Sequence, residues 1–225
     1  MLSRAPLLRQ AAKAHLELRA CGWNDARADL ITSEMKIEVW RAPESATRSV
    51  APTDFGAIVR SERIPALVAN VTAHGGLVLA AVSQAGLRGY AALVPSSALR
   101  DERWENLPDL FELGSLEVAR SARGRGVGTE LLAAVASSIP LESLHVFARG
   151  LISHWDLAWT NELDAAVTAR ERRAQLLHML AKIGFALWDT TDPEIGAHPL
   201  NFLAVRAGRA APSTSLLALA ESAYS

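Results

Sequence analysis

The sequence has one cysteine, few tyrosines and no long apolar run. The single cysteine among its 225 residues, Cys21, excludes an intramolecular disulfide and a metal cluster built on cysteines. No apolar run approaches the roughly 18 residues that a membrane-spanning helix needs. Formal charges nearly cancel, at −1 overall, so the chain lacks the basic excess typical of nucleic-acid-binding proteins. These absences favour a globular enzyme or binding module.

The composition and organisation predict one ordered domain. Half of the residues are hydrophobic, which is too many for a disordered chain. No repeat or linker stands out, so we predict a single domain over residues 1–225, with an N-terminal helical extension over 1–34, a core over 35–210 and a C-terminal helix over 211–225. The basic N-terminal segment has no continuous apolar stretch of the kind that a secretory signal needs. The lone cysteine suits a reducing compartment, so we expect a cytoplasmic protein.

Hydrophobic patterning predicts a mixed fold of strands and helices. Strands are expected at 35–40, 77–82, 87–94, 112–118, 144–147, 186–189 and 201–206, the second and third forming a hairpin. Helices are expected at 6–20, 53–60, 64–71, 129–138 and 164–182, the last ended by Gly184. Antiparallel strands therefore come first, and a strand–helix–strand unit follows.

A glycine-rich turn follows the strand at 112–118. Its glycines let successive backbone N–H groups point at one anion, and the helix expected after it adds its own unpaired N–H groups. The turn lacks the lysine followed by Ser or Thr of a Walker A loop, and its spacing is not that of a dinucleotide-binding fold. The residues predicted to hold a phosphate-bearing ligand are Arg123, Gly124, Arg125, Gly126, Val127, Gly128 and Thr129.

The pattern Arg-x-x-Gly-x-Gly over 123–128, between an apolar strand and a helix, resembles the acetyl-CoA pyrophosphate loop of the GCN5-related N-acetyltransferase (GNAT) superfamily. The resemblance implies an α/β (α+β) fold with a mixed, mostly antiparallel central sheet flanked by helices. It also implies acetyl-CoA as co-substrate, with its pantetheine lying as an extra strand against the backbone of Leu116 to Val118.

Acetyl transfer to an amine needs a base, because the protonated amine has no lone pair with which to attack. The resemblance suggests Glu112, which lies eleven positions before Arg123, where histone-modifying members of the superfamily keep a glutamate base. Glu117 is the second candidate. The alternatives are a strand-end surface residue for Glu112 and, for Glu117, a charge on the sheet that pairs with an arginine. Strand alternation predicts opposite faces: Glu112 with Leu116 and Val118, and Glu117 with Leu113 and Ser115.

No residue stands out as the general acid. Superfamily members often place a tyrosine four residues before a Gly-Phe pair, where it protonates the departing thiolate. Here that position is Leu180, before Gly184-Phe185, and the two tyrosines of the chain lie elsewhere. Water is then sufficient for a thiolate leaving group, and His198 is an alternative acid that is otherwise a loop residue.

Three further segments make the resemblance more specific, to one family within the superfamily. Glu102-Arg103-Trp104, His154-Trp155-Asp156-Leu157 and the stretch 191–201 are similar to segments of the acetoin-utilisation acetyltransferases, the AcuA family, over about residues 75–208. That resemblance implies acetylation of the active-site lysine of acetyl-CoA synthetase, which switches that enzyme off, and association with it. The residues predicted to contact this protein substrate are Trp104, His154, Trp155, Asp156, Thr191 and His198. The glycine-rich 124–128 loop departs from the family and is closer to the general GNAT pattern.

Several alternatives stay open. Asp156 could be the N-cap of a helix, and the nearby tryptophans could be core residues. No third ligand with metal-like spacing accompanies His154 and Asp156, so we predict no metal site. The acceptor could be a small amine, or the protein could be a module that binds acetyl-CoA synthetase with little turnover.

Overall fold

The computed structural model describes residues 35–40, 55, 63–84, 86–99, 107–155 and 162–224, with side chains of the late helix from 168 onward. The predicted helices at 6–20 and 53–60 therefore lie outside the described residues, apart from Phe55. The N-terminal extension and Trp104 also lie outside them.

Within the described residues, seven strands form one mixed sheet in the order β1-β2-β3-β4-β5-β7-β6. They are β1 (Lys36–Trp40), β2 (Leu77–Ser83), β3 (Gly86–Pro95), β4 (Leu110–Val118), β5 (His145–Gly150), β6 (Ala186–Trp188) and β7 (Phe202–Arg206). Neighbouring strands run antiparallel except for β4 and β5, which run parallel. The predicted hairpin is β2 and β3, and each predicted strand is present within a few residues.

Helices lie against this sheet. They are α1 (Ile64–Ala73), α2 (Val127–Ser138), α3 (Glu162–Lys182), α4 (Pro193–Gly196) and α5 (Ser213–Ala223). The predicted mixed, mostly antiparallel sheet with flanking helices is therefore confirmed. The helix expected from Thr129 begins two residues earlier, at Val127, because the glycine loop itself supplies the helix start.

The helix α3 ends as its sequence predicts. Gly184 has a φ of +88°, a conformation that costs a residue with a Cβ about 1–2 kcal/mol. Its N–H donates to Ala181, and the N–H of Phe185 donates to Leu180. These two bonds are the Schellman pattern that closes a helix and turns the chain back towards the sheet.

The two faces of the sheet are covered by different elements. The helix α2 buries Val127, Leu131, Leu132 and Val135, and a Cβ placed on Gly89 of β3 would lie 3.1 Å from both Val127 Cγ1 and Leu131 Cδ1. A second apolar cluster joins β4, β5 and β7 to α5 through Leu110, Phe147, Leu203, Val205, Leu219 and Ala223. A buried leucine of this kind contributes about 1.5–3 kcal/mol, so α5 is anchored by its apolar face.

No helix in the described part of the chain combines the length and the apolar character needed to cross a membrane.

Candidate active site

The glycine loop joins the end of β4 to the start of α2. A short 3₁₀ turn spans Arg120–Ala122, and the side-chain Nε of Arg123 donates to the carbonyl oxygen of Val118 at 3.2 Å. Gly124 and Gly126 then have φ values of +75° and +81°, which a residue with a Cβ rarely adopts. The two glycines therefore let the chain turn sharply from the end of β4 into the first turn of α2.

The first turn of α2 has N–H groups without an acceptor inside the helix. The helix begins at Val127, its first N–H groups have no intrahelical partner, and the N–H of Glu130 donates back to Gly126. Gly124 and Arg125 are exposed, and Thr129 is half-buried. A helix N-terminus carries about half a positive charge and adds about 0.3–1 kcal/mol to the binding of a nearby anion. The seven contiguous residues 123–129, of which Val127 and Gly128 are buried, are the predicted anion cradle, and their role in binding a phosphate group stays a prediction.

Beside the predicted anion cradle, strands β4 and β5 diverge and stop pairing with each other. Their parallel pairing covers Leu110↔His145, Phe111↔Val146 and Glu112↔Phe147, whereas β4 continues to Val118. The described strands therefore leave a gap on this side of β4, between the last pair and the glycine loop.

Some backbone N–H and carbonyl groups of β4 point into this gap. The N–H of Ala119 donates to Arg88 of β3, and backbone groups alternate between the two sides of a strand. The N–H and carbonyl groups of Leu116 and Val118 consequently point away from β3, towards the gap. Both residues were predicted to bind the cofactor, and their position suits the addition of an extended ligand as a strand.

The predicted faces of β4 are wrong for Glu112 and Leu113, whereas Glu117 and Ser115 share a face as predicted. Ala92 lies opposite Ser115, but the next residue of β3, Leu93, lies opposite Leu113. Gly114 is therefore an extra residue, a β-bulge, and it reverses the alternation of side chains.

Cross-strand partners show the corrected faces, because opposed residues project to the same side. Alternate residues of β3, namely Tyr90, Ala92 and Val94, lie opposite Glu117, Ser115 and Glu112. The two glutamates thus share one face with Ser115. The other face carries Leu113, Leu116 and Val118, and it is the face that α2 covers. This places the two candidate bases on the same side of the sheet.

Glu112 is held by an arginine that sequence reasoning missed. It is 7% exposed, and Arg149 of β5 donates from Nε to Oε1 at 2.9 Å and from Nη2 to Oε2 at 3.3 Å. The Nη1 of Arg149 donates to Glu194 of α4 at 3.0 Å. Burial lowers the pKa of Arg149, but the hydrogen bond and charge of Glu112, with Glu194 and Asp192, raise it above its ordinary value overall.

Glu117 has a different partner. It is 3% exposed, and the hydroxyl of Tyr90 donates to its Oε2 at 2.8 Å. Burial raises the pKa of Tyr90 strongly, and the charge of Glu117 and its hydrogen bond add to the rise. The phenol therefore stays protonated and remains a hydrogen-bond donor to this carboxylate.

Two of the three segments expected around the acceptor amine lie next to each other. The backbone N–H of Ile152 donates to Asn201 Oδ1 at 2.8 Å, which joins the turn Ile152–His154 to the 191–201 stretch. His154 is exposed, whereas Trp155 is half-buried and packs against the core. Asp156 lies outside the described residues, as Trp104 does, so their predicted contact with substrate stays a prediction.

Within the 191–201 stretch the two predicted residues have local partners. The N–H of Thr191 donates to the carbonyl of Ala223 at 2.8 Å, which ties the start of the stretch to α5. The Nδ1 of His198 accepts a hydrogen bond from the N–H of Leu200 at 3.1 Å. His198 is thus held as an ordinary loop residue, and its role as an acid stays a prediction. Leu180, at the position of the expected tyrosine, is 1% exposed and belongs to the core.

The residues that sequence reasoning missed are Arg149, Glu194 and Tyr90. Arg149 is the only charged residue of β5, and a lone charge in an apolar strand is a signal of a paired carboxylate. Tyr90 and Glu194 carry no such signal, because only the register of β3 and the course of the 191–201 stretch place them here. The described residues contain no group of three or more His, Cys, Asp or Glu placed to hold a metal ion.

Comparison with known proteins gave clear relatives. No family model matches the sequence. The acetoin utilization protein AcuA of Bacillus licheniformis is 33% identical over 145 residues, which cover 64% of this chain and 65% of that protein. AcuA of Bacillus subtilis is 31% identical over 150 residues, which cover 66% of this chain and 68% of that protein. The match thus spans slightly less than two thirds of the first relative and slightly more than two thirds of the second.

A solved structure has the same fold. The crystal structure of an acetoin utilization protein from Exiguobacterium sibiricum superposes with a TM-score of 0.73 at 22% identity, over 84% of this chain and 88% of that chain. At this identity the likeness concerns the fold alone.

Proposed function

Because this chain belongs to the AcuA family of acetoin utilization proteins, which has the GNAT acetyltransferase fold, we propose that it transfers acetyl from acetyl-CoA to a protein lysine. The proposed acceptor is the active-site lysine of acetyl-CoA synthetase, whose acetylation removes the charge and nucleophilicity of that lysine. Such a reaction would control the use of acetate and acetoin. A cytoplasmic setting suits both substrates.

The observation that carries this proposal is the anion cradle beside the gap between β4 and β5. The N–H groups in the first turn of α2, which begins at Val127, suit the pyrophosphate of acetyl-CoA, and Arg123 and Arg125 add charge. The outward-facing backbone groups of Leu116 and Val118 suit its pantetheine. Together they would bring the thioester close to the bulge at Gly114, two residues from Glu112 and three from Glu117.

The chemistry begins with the acceptor amine. A free lysine with a pKa of about 10.4 is neutral in roughly one molecule in 2,500 at pH 7, a deficit of about 4.6 kcal/mol. We propose that Glu112 takes one proton from the lysine ammonium, with Glu117 as the second candidate. The neutral nitrogen then attacks the thioester carbon, the C–S bond breaks, and the thiolate takes the second proton of the nitrogen, directly or through water.

The acceptor surface is proposed to lie around the turn Ile152–His154 and the 191–201 stretch. These two segments are hydrogen-bonded to each other through Asn201, and Glu194 lies in the same ion network as Glu112. Trp104, His154, Trp155, Asp156, Thr191 and His198 are the residues proposed to contact the protein acceptor.

A module that binds the synthetase with little turnover is the second candidate. Two observations favour it. Leu180 is buried in the core where related enzymes have an acid, and Glu112 is engaged by an arginine before any substrate arrives.

The test is to incubate the protein with acetyl-CoA and acetyl-CoA synthetase from the same host. We expect one dominant acetylated lysine by mass spectrometry and a parallel fall in synthetase activity. Trp155→Ala should weaken this modification more than it weakens acetyl-CoA binding. A complex without acetylation would support the binding module, and efficient transfer only to a free small amine would overturn the proposed acceptor.

The base is tested in the same assay with a matched pair of variants. Glu112→Gln keeps the shape of the side chain but removes its basicity, so the rate should fall by about 10²–10⁴ while acetyl-CoA affinity holds. Glu117→Gln is the control on the same face. If Glu112→Gln transfers at the wild-type rate and Glu117→Gln does not, Glu117 is the base.

A further inference from the structure

The guanidinium of Arg149 connects three separate parts of the chain. It lies on β5, one carboxylate partner lies on β4, and the other lies on α4. Its side chain is 29% exposed, compared with 9% for Glu112 and 55% for Glu194. The network therefore runs from the interior, where β4 and β5 part, to the surface at the 191–201 stretch.

Arg149 makes a bidentate contact with the carboxylate of Glu112. Nε and Nη2 of Arg149 each donate to a different carboxylate oxygen, and such a fork fixes the plane of a carboxylate as well as its distance. A carboxylate has about four acceptor positions, so the two that the fork leaves unused can still receive a hydrogen bond from an amine. Arg149 thus fixes the orientation of Glu112 and uses two of the acceptor positions of its carboxylate.

Proton transfer to Glu112 changes the charge balance around Arg149. Once Glu112 is neutral, the half-buried guanidinium loses its nearest negative charge. An unpaired buried charge is costly. Glu194, at 3.0 Å from Nη1, still balances the guanidinium at that stage.

Glu194 is itself held in place. The Oδ1 of Asp192 accepts hydrogen bonds from the N–H groups of Glu194 and Ile195, and Asn201 Nδ2 donates to the carbonyl of Glu194 at 2.9 Å. The backbone that carries this carboxylate is therefore fixed through both the N–H and the carbonyl group of Glu194.

We propose that Arg149 is a positioning residue that orients Glu112 for proton transfer, and that Glu194 balances the charge of Arg149 while Glu112 carries the proton. The inference rests on the proposed function, in particular on Glu112 as the base. It predicts that Arg149 and Glu194 act on turnover and leave acetyl-CoA binding unchanged.

The variants are Arg149→Gln, Arg149→Lys and Glu194→Gln, tested for kcat, KM and acetyl-CoA affinity. Arg149→Gln should lower kcat by about 10–100-fold, the size of effect expected when a reacting group is misplaced by about 1 Å, with acetyl-CoA affinity within about twofold. Arg149→Lys keeps the charge but not the fork, so it should recover part of the rate. Glu194→Gln should lower kcat by about 3–10-fold.

Glu142→Gln is the matched control. Glu142 is 48% exposed and accepts hydrogen bonds from Arg206 and Arg209 at 2.7 Å each, so it resembles Glu194 in exposure and partners. It lies just before the start of β5, at the opposite end from Arg149. This variant should keep the wild-type kcat.

A spectroscopic measurement accompanies the kinetics. The Nε–H of Arg149 should give a protected ¹⁵N–H signal in the wild type that shifts in Glu112→Gln. Thermal unfolding of each variant checks that the fold is kept, and Glu194→Gln, at a largely exposed site, keeps the inference testable if Arg149→Gln does not fold.

The outcomes separate this inference from the proposed function. If the wild type transfers acetyl to lysine and Glu194→Gln and Arg149→Lys match its kcat, the inference is overturned and the proposed function stands. Equal losses in Glu194→Gln and Glu142→Gln also overturn it, since they would reflect a general effect of surface charge. If the wild type transfers acetyl to no amine, the proposed function fails and the inference fails with it.

Discussion

Replacement of Gly126 by alanine tests the anion cradle most directly. Gly126 has a φ of +81° and is the N-cap of α2. A Cβ at this φ costs about 1–2 kcal/mol, and the backbone relieves that strain by rotating towards negative φ. Such a rotation turns the N–H of the next residue, Val127, away from the anion. We therefore expect Gly126→Ala to lose one or two of the hydrogen bonds to the pyrophosphate.

The size of the effect follows from those bonds. A hydrogen bond to a charged group contributes about 1.5–3 kcal/mol, and each 1.4 kcal/mol is about tenfold in affinity. Loss of one such bond should weaken acetyl-CoA binding by about 10–100-fold, as measured by calorimetric titration. Thermal or urea unfolding of the same variant should show a loss of about 1 kcal/mol.

Gly75→Ala provides the matched control. Gly75 has a φ of +80°, and a Cβ placed on it would meet nothing within 4 Å. The substitution therefore introduces the same backbone strain without touching the loop. The two variants should lose similar stability, and only Gly126→Ala should lose acetyl-CoA affinity. Equal affinities in the two variants would refute the assignment of the cradle.

Two further predictions concern packing and titration. Gly150→Ala should destabilise the protein by at least about 1–3 kcal/mol in urea unfolding, because the new Cβ would lie 2.1 Å from Phe202 Cε1; a wild-type midpoint would contradict this packing. The raised pKa of Tyr90 means that the unfolded chain releases this proton near pH 10 while the folded chain keeps it. The contribution of Tyr90 to stability should therefore be constant below about pH 10 and fall above it. In Tyr224→Phe, phenolate absorbance should appear only as the circular dichroism of the fold is lost, and earlier ionisation would show that Tyr90 is accessible.

Local signals in the sequence predicted most of the fold. The hairpin, the glycine loop and the end of α3 at Gly184 each depend on residues that are neighbours in the chain, so their patterns can be read without knowledge of the partner strands. The start of α2 was misplaced by two residues because the predicted start ignored the ability of Gly126 to act as the N-cap. The role of residues 123–129 in phosphate binding stays a prediction.

Long-range relations could not be predicted in the same way. The pairing of Arg149 with Glu112 and Glu194 depends on which strands are neighbours in the sheet and on the path of the 191–201 stretch. Arg149 stands out as the one charged residue of β5, but nothing within its own segment identifies Glu112 and Glu194 as its partners. The same is true of Tyr90 and Glu117, which meet only because β3 and β4 pair in one particular register.

At Gly114 the local sequence indicates a feature that also depends on the pairing of distant strands. A glycine inside an apolar strand is a recognised signal of a bulge, so the sequence did carry a warning that simple alternation fails in β4. If Gly114 were paired in regular register, Glu112 would lie opposite Pro95 instead of Val94, and it would project towards α2. Because Gly114 is instead bulged, Glu112 shares a face with Glu117 while Leu116 and Val118 keep their backbone groups towards the gap. The bulge therefore places the candidate bases on one side of β4, and the edge of the same strand is the proposed site for acetyl-CoA.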